Sequence, residues 1–164
     1  MVSMIGQLAP AFDLPINGGE RLSSQDMAGR WVVLYFYPKD MTSGCTTQAE
    51  AFRDTYADFK AAGALVIGVS RDSVKRHDTF VDKHHLPFPL VSDTEEGTLC
   101  ETYGVWVEKH MYGRAYMGIE RATFLISPDG RIVQEWRRVK VPGHVADVLK
   151  TVQHMAADAP GVTP

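Results

Sequence analysis

The sequence has little cysteine, no long apolar run and no block of like charge. Its 164 residues include only two cysteines, too few for a disulfide framework and without the spacing of a zinc site. No apolar stretch approaches membrane-spanning length, and residues 1–7 lack the basic and apolar regions of a secretory signal. The net charge of -3, without a charged block, argues against general nucleic-acid or membrane-surface binding. We therefore expect reduced thiols and a cytoplasmic location.

The composition is that of a globular protein, with 45% hydrophobic and 23% charged residues. A chain of this length can bury one full hydrophobic core. We predict a single domain over residues 1–157. Residues 158–164 are mostly small residues with two prolines, and we predict that they form a frayed C-terminal tail.

Hydrophobic periodicity predicts alternating strands and helices. The predicted strands are residues 31–37, 64–70 and 89–92, and the predicted helices are residues 45–62, 73–85, 98–103 and 144–156. The turn at residues 128–130 predicts an antiparallel pair of strands, residues 123–127 and 131–137. These elements predict an α/β protein with a thioredoxin-like fold, in which a central mixed β-sheet is flanked by helices and preceded by an N-terminal extension.

Cys45 is the candidate nucleophile, because it lies at the junction between a predicted buried strand and a predicted helix. Unpaired amides at a helix N-terminus, together with the helix dipole, stabilise a thiolate. The alternative is a small buried apolar residue. The polar sequence Thr42-Ser43-Gly44 before the cysteine disfavours that alternative.

Pro38, Thr42 and Cys45 match the Pro-x-x-x-Thr-x-x-Cys loop of the peroxiredoxins. The longer segments 6–17, 37–40, 44–49 and 112–121 resemble the peroxiredoxin Q branch, also called bacterioferritin comigratory protein. The resemblance extends over nearly the whole chain. Several separated motifs in the right order are more specific than one short pattern.

The resemblance implies an antioxidant oxidoreductase, a thioredoxin-dependent-type peroxidase. It would reduce hydrogen peroxide, organic hydroperoxides or both through a sulfenic acid on Cys45. It implies no cofactor and no metal. The partners would be a hydroperoxide and a reducing thiol, which is thioredoxin, glutaredoxin or a low-molecular-weight thiol. The preferred hydroperoxide, the reductant and the choice between monomer and homodimer stay open.

A thiolate that predominates at neutral pH needs about 2.7 kcal/mol of stabilisation, whereas a helix terminus typically supplies about 0.3–1 kcal/mol. A nearby cation is therefore needed, and arginine keeps its charge better than lysine in a dry pocket. Arg121 matches the active-site arginine of the family. The resemblance implies that its guanidinium holds the thiolate and binds the peroxide.

The resemblance also implies roles for four residues of the reactive segment. Thr42 would hydrogen-bond the peroxide, Pro38 would shield the thiolate, and Gly44 would offer its backbone amide. Gln48 could orient the arginine. Each residue also has a structural alternative: Thr42 as a helix cap, Pro38 as a strand terminator and Gln48 as a solvated helix position. The corresponding alternative for Arg121 is a surface residue on an edge strand.

Recycling of the sulfenic acid is the point where the sequence departs from many relatives. Peroxiredoxin Q proteins commonly carry a resolving cysteine five residues after the nucleophile, where this chain has Glu50. Others carry it in the next helix, near residues 79–83, where this chain has none. We therefore predict a one-cysteine cycle that uses an external thiol. Cys100 is more consistent with a packed helix position, and a resolving role for it is the alternative.

Two other functions are kept as alternatives. Dithiol exchange of the thioredoxin type needs a second cysteine at the position of Thr42. A non-enzymatic redox sensor or holdase would also use an oxidisable Cys45. The six histidines show no metal-ligand spacing and are expected at the surface. For four further residues the sequence does not distinguish between a core position, a pocket rim and a dimer contact: Trp106, Tyr112, Tyr116 and Met117.

Overall fold

The computed structural model describes residues 3–95 and 98–157, in which there are nine β-strands and five α-helices. In chain order they are β1 (Asp13–Pro15), β2 (Arg21–Ser23), β3 (Trp31–Phe36), α1 (Ser43–Asp54), α2 (Tyr56–Ala61), β4 (Ala64–Ser70), α3 (Val74–His84), β5 (Leu90–Ser92), α4 (Leu99–Thr102), β6 (Trp106–Met111), β7 (Arg114–Ile119), β8 (Ala122–Ile126), β9 (Ile132–Trp136) and α5 (His144–Ala157).

Five strands form the central sheet in the order β5-β4-β3-β8-β9. Strands β3, β4 and β5 are parallel, whereas β8 and β9 run antiparallel to their neighbours. Every residue of the central strand β3 is buried. Apolar residues cover both faces of this strand, which explains why its sequence is continuously apolar rather than alternating. The predicted mixed sheet and the antiparallel pair are therefore confirmed.

The two faces of the sheet carry two separate hydrophobic clusters. Val32, Leu34 and Phe36 belong to one cluster, and Val33 and Tyr35 belong to the other. Successive side chains of a strand point to opposite faces, so the clusters lie on opposite sides of β3. Helices α1, α2 and α5 contribute to the second cluster, whereas α4 contributes to the first.

The helix predicted for residues 45–62 is wrong in its continuity, because it is divided at Thr55 into α1 and α2. The Thr55 hydroxyl donates a hydrogen bond to the Ala51 carbonyl, and the Thr55 backbone leaves the helical region at φ -110° and ψ 8°. Threonine side chains that bond back to the preceding turn favour such bends. The change of direction leaves Phe59 fully buried.

Sequence reasoning missed two hairpins. Strands β1 and β2 form one of them, within the predicted N-terminal extension. Strands β6 and β7 form the other, with Tyr112 and Gly113 both at positive φ in its turn. Few of its side chains are buried, so the strands show no alternating apolar pattern. Tyr112 is 96% exposed, which removes the core assignment for that residue.

The predicted tail, residues 158–164, lies outside the described residues. The single domain predicted for residues 1–157 stays a prediction. Within the part of the chain that the structure describes, no helix combines the length and apolarity needed to cross a lipid bilayer.

Candidate active site

Cys45 lies in the first turn of α1, which begins at Ser43 and follows directly from the loop after β3. The side chain is almost fully buried, and it belongs to the same cluster as Tyr35 and Tyr37. The thiol therefore sits where backbone amides of the first helical turn lack intrahelical partners. This position can stabilise a negative charge on sulfur.

Arg121 contacts Cys45, although the two residues are far apart in the sequence. Its Nη2 donates to Sγ of Cys45 across 3.3 Å. In the ladder between β3 and β8, Phe36 is paired with Ala122. This register places Arg121 beside the end of β3, where the reactive loop begins. The edge-strand alternative for Arg121 is wrong, because β8 lies between β3 and β9 and the side chain is half-buried.

Gln48 is the second partner of the guanidinium. Its Oε1 accepts a hydrogen bond from Nη1 of Arg121 across 2.5 Å. Gln48 is fully buried in α1, so the alternative of a solvated helix position is wrong. One helix therefore presents both the cysteine and the amide that share this guanidinium. The two contacts use different nitrogens of the arginine, which restricts its rotation.

Gly44 leaves room for the arginine. A Cβ atom at this position would lie 3.3 Å from Nη2 of Arg121 and 4.0 Å from a methyl group of Val141. A side chain there would press on the nitrogen that contacts the sulfur. The absence of a side chain at Gly44 thus permits the close approach.

Thr42 and Pro38 lie in the loop between β3 and α1. Thr42 occupies the N-cap position of α1 by its backbone, but its side chain makes no capping bond. Its exposed hydroxyl donates instead to the Lys39 carbonyl across 2.8 Å. The structural alternative of a side-chain cap is therefore wrong. Pro38 is half-buried, two residues after the end of β3.

Two further side chains interact electrostatically with this centre, and sequence reasoning identified neither. Burial raises the pKa of Tyr35 well above its usual value, and the nearby Cys45 charge adds to the effect. Partial burial lowers the pKa of Lys109, and repulsion from Arg121 acts in the same direction, whereas Cys45 opposes the shift. Lys109 lies on the β6–β7 hairpin, whose strands lacked a detectable pattern. No sequence signal linked it to the cysteine.

The two buried cysteines belong to different clusters. Cys45 packs in the cluster on the Tyr35 face of the sheet, and Cys100 packs in the cluster on the Phe36 face. Cys100 lies in α4 and is completely buried. Burial raises the pKa of its thiol, and a hydrogen bond to Asp93 raises it further. The structure does not bring the two sulfurs together.

The histidine prediction is wrong at two positions. His77 in α3 is completely buried, and His144 at the start of α5 is nearly so. His144 Nε2 lies 2.8 Å from the Thr123 hydroxyl, and its ring packs against Trp136. Burial lowers the pKa of His144 to about 4, so its imidazole is neutral at neutral pH. Both histidines occupy sites that a surface assignment did not anticipate.

A buried cysteine at a helix start, contacted by an arginine that directly precedes a strand of a mixed sheet, is the arrangement of thiol-dependent peroxidases with a thioredoxin-like fold. Comparison with known families identifies the particular one. The AhpC/TSA family matches residues 5–135, and the chain belongs to that family. Its relatives place it among the peroxiredoxins of the Q, or bacterioferritin comigratory protein, branch.

Several relatives are similar along most of their length. The putative peroxiredoxin bcp of Coxiella burnetii is 52% identical over 145 residues, covering 88% of this chain and 95% of that protein. The peroxiredoxin Bcp of Bacillus subtilis is 49% identical over 156 residues, covering 95% and 99%. The structure of Xanthomonas campestris peroxiredoxin Q superimposes with a TM-score of 0.84 at 50% identity, covering 88% of this chain and 91% of that one.

The chain is thus an enzyme, a peroxiredoxin that reduces a hydroperoxide with electrons from a thiol. The predicted family, branch and fold class are confirmed. The comparisons support the peroxidase over the two alternative functions, the redox sensor and dithiol exchange.

Proposed function

We propose that Cys45 is the peroxidatic nucleophile and that Arg121 holds it as a thiolate. The observation that carries this proposal is the 3.3 Å contact between Arg121 Nη2 and Cys45 Sγ. A guanidinium stays charged in a partly dry site, where its attraction for an anion is stronger than in water. The first turn of α1 adds the positive end of the helix dipole.

The thiolate attacks one oxygen of the hydroperoxide. A lone pair on sulfur forms the S–O bond while the O–O bond breaks. The bonding electron pair leaves with the second oxygen, which takes up one proton and departs as water or an alcohol. Cysteine is oxidised to sulfenic acid, and the peroxide is reduced. Negative charge grows on the departing oxygen during the step, and a positioned guanidinium stabilises that charge.

The other residues of the reactive segment support this step. We assign Thr42 to a hydrogen bond with the peroxide, because its hydroxyl is exposed in the loop that leads into α1 and, while it donates to the Lys39 carbonyl, can still accept. Pro38 restricts the approach of water to the sulfur, and Gly44 offers its amide. Gln48 orients Arg121 through the 2.5 Å hydrogen bond.

Stopped-flow oxidation by hydrogen peroxide tests the nucleophile. We expect a fast second-order reaction in the wild type and in Cys100→Ala, and none in Cys45→Ser. Slow oxidation of the wild type would contradict the peroxidase and favour the redox sensor. Retained peroxide consumption in Cys45→Ser would remove Cys45 from the mechanism.

The recycling route is proposed to be of the one-cysteine type. Cys45 and Cys100 pack against opposite faces of the sheet, and a disulfide needs their α-carbons within about 7 Å. The raised pKa of Cys100 also leaves that sulfur as an unreactive thiol. An external thiol would attack the sulfenic sulfur, forming an S–S bond and releasing water. A second thiol would then reduce the mixed disulfide.

Mass spectrometry after one equivalent of peroxide distinguishes the two routes. We expect sulfenic acid on Cys45, followed by a mixed disulfide when a small thiol is added. An intramolecular Cys45–Cys100 disulfide that forms as fast as the sulfenic acid decays would contradict this cycle. Parallel reactions with thioredoxin, glutaredoxin and a low-molecular-weight thiol would identify the reductant by the rate of sulfenic acid loss.

The preferred hydroperoxide is also a proposal. Structures of the Xanthomonas campestris bacterioferritin comigratory protein concern its alkyl peroxide reduction activity. We propose that this chain likewise accepts organic hydroperoxides as well as hydrogen peroxide. Comparing second-order rate constants for hydrogen peroxide and cumene hydroperoxide tests this, and a negligible rate with the organic substrate would contradict it. The cytoplasmic location stays a prediction.

A further inference from the structure

The reactive loop between β3 and α1 makes a turn at Asp40 and Met41. Met41 is at φ 63°, a left-handed conformation that costs a residue with a side chain about 1–2 kcal/mol. Such a conformation persists only when surrounding contacts determine it. Asp40 lies two residues from Pro38 and two from Thr42, and it is almost completely buried.

Asp40 is held at four atoms. Its backbone amide donates to Oδ2 of Asp72 across 2.8 Å, and its carbonyl accepts from Nη2 of Arg76 across 3.3 Å. Its Oδ1 accepts from the Tyr37 hydroxyl across 2.5 Å, and its Oδ2 lies 2.6 Å from Nδ1 of His77. Arg76 and His77 belong to α3, and Asp72 lies two residues before that helix begins. Side chains of α3 and of the residues just before it therefore hold Asp40, at the centre of the reactive loop.

The hydrogen bonds determine where the protons are. His77 Nε2 lies 3.0 Å from the Val91 carbonyl, which can only accept, so Nε2 carries a proton. Burial and the nearby Asp40 raise the pKa of Tyr37, so its hydroxyl remains a donor to Asp40. The 2.6 Å separation between His77 Nδ1 and Asp40 Oδ2 is that of a short hydrogen bond, with one proton between the two atoms.

We propose that His77 is a positioning residue of the peroxidase, which holds Asp40 through Nδ1 and thereby fixes the loop that carries Pro38 and Thr42. The inference rests on the proposed roles of those two residues. His77 touches neither the thiol nor the peroxide site. Its contribution is to the geometry in which the peroxide meets the sulfur, where small displacements reduce rates strongly.

Asp40, Asp72 and His77 also bring ligand atoms within 4.8 Å of one another, a distance compatible with a metal ion. The hydrogen bonds favour the positioning role instead. Asp72 Oδ1 accepts from Arg76 Nε, and Asp72 Oδ2 accepts from the Ser70 hydroxyl. A cation here would have to displace a guanidinium and several other donors.

Two isosteric variants test the proposal. The amide nitrogen of asparagine can occupy the position of histidine Nδ1, whereas that of glutamine can occupy the position of Nε2. His77→Asn therefore keeps the donor to Asp40, and His77→Gln keeps only the donor to Val91. We expect His77→Asn to retain the peroxide rate constant within about threefold, and His77→Gln and His77→Leu to lose at least about tenfold.

Alkylation of Cys45 by iodoacetamide provides the second readout, because it needs the thiolate but no peroxide geometry. We expect its rate to change by less than about twofold in every folded variant. His84→Leu, a half-buried position in the same helix, is the matched control and should react with peroxide like the wild type. If His77→Leu does not fold, the asparagine and glutamine pair still decides the outcome.

Equal peroxide rates in His77→Asn and His77→Gln would overturn the proposal, as would parallel losses of peroxide and iodoacetamide reactivity. A wild type without fast peroxide reaction would instead overturn the proposed function itself. Nitrogen-15 NMR of histidine-labelled protein adds a spectroscopic test. We expect Nε2 of His77 to carry a proton and Nδ1 to be hydrogen-bonded to Asp40, and an Nδ1 without a hydrogen bond would contradict the proposed contact.

Discussion

Arg121 donates one guanidinium nitrogen to Gln48 Oε1 and another to Cys45 Sγ, and these two acceptors lie one helical turn apart in α1. The glutamine therefore holds the arginine in the orientation that reaches the sulfur. Gly44, which has no side chain, leaves space for the guanidinium but does not orient it. The orientation of the Arg121 guanidinium therefore depends on the side-chain amide of Gln48.

Gln48→Leu should lower the second-order rate constant for peroxide by about 10- to 150-fold, because a hydrogen bond to a charged group contributes about 1.5–3 kcal/mol. Gln48→Glu should retain most of the activity, since a carboxylate oxygen accepts the same bond. Thr47→Ala, at the exposed neighbouring position, is the control. The measurement is stopped-flow oxidation, and equal rates in Gln48→Leu and the wild type would remove Gln48 from the site.

Arg121→Ala should reduce the peroxide rate constant by about 100- to 1,000-fold, the effect typical of removing one donor that stabilises transition-state charge. It should also reduce the thiolate absorbance in neutral buffer. Arg121→Lys should recover part of the rate, because lysine supplies a charge but cannot contact Gln48 and Cys45 in the same fork geometry. Unchanged thiolate absorbance in Arg121→Ala would show that another group holds the thiolate.

Cys100→Ala should leave the lifetime of the Cys45 sulfenic acid unchanged, since the sheet separates the two cysteines. It should lower the free energy of unfolding by about 1 kcal/mol, because it deletes one buried heavy atom. Chemical denaturation and time-resolved mass spectrometry measure these two effects. A longer sulfenic acid lifetime in this variant would indicate that Cys100 takes part in resolution.

The free energy of unfolding should fall on acidification because of His144. Its pKa is lowered by burial from 6.5 to about 4 in the folded protein, and the Arg121 charge acts in the same direction. The unfolded chain therefore binds the proton first, and stability present above pH 6.5 is lost as the pH falls towards 4. The loss is on the order of 2 kcal/mol after allowance for solvent screening.

His144→Gln should remove this part of the pH dependence, because glutamine does not titrate and its amide can still bond Thr123. Urea denaturation of both proteins at neutral and mildly acidic pH measures the difference. Identical pH dependence in the two proteins would show that His144 does not titrate differently on folding.

Local patterns predicted much of the fold and the reactive cysteine. Because β3 is buried along its whole length, its sequence is a continuous apolar run, from which the strand was predicted. The Pro-Asp-Gly turn predicted the hairpin between β8 and β9. The β6–β7 hairpin was missed because its mostly exposed side chains require no alternation. The bend at Thr55 was missed because one side-chain hydrogen bond decides it.

The sequence by itself determined the strand and helix order, the placement of Cys45 at a helix start and the lack of a cysteine at the usual resolving positions. These properties depend on residues close together in the chain. Only the tertiary structure decided that Arg121 contacts the thiol, that Cys100 packs against the opposite face of the sheet and that His77 in α3 contacts Asp40. Such contacts join residues distant in sequence, and strand register and helix packing, rather than local propensity, bring their atoms together.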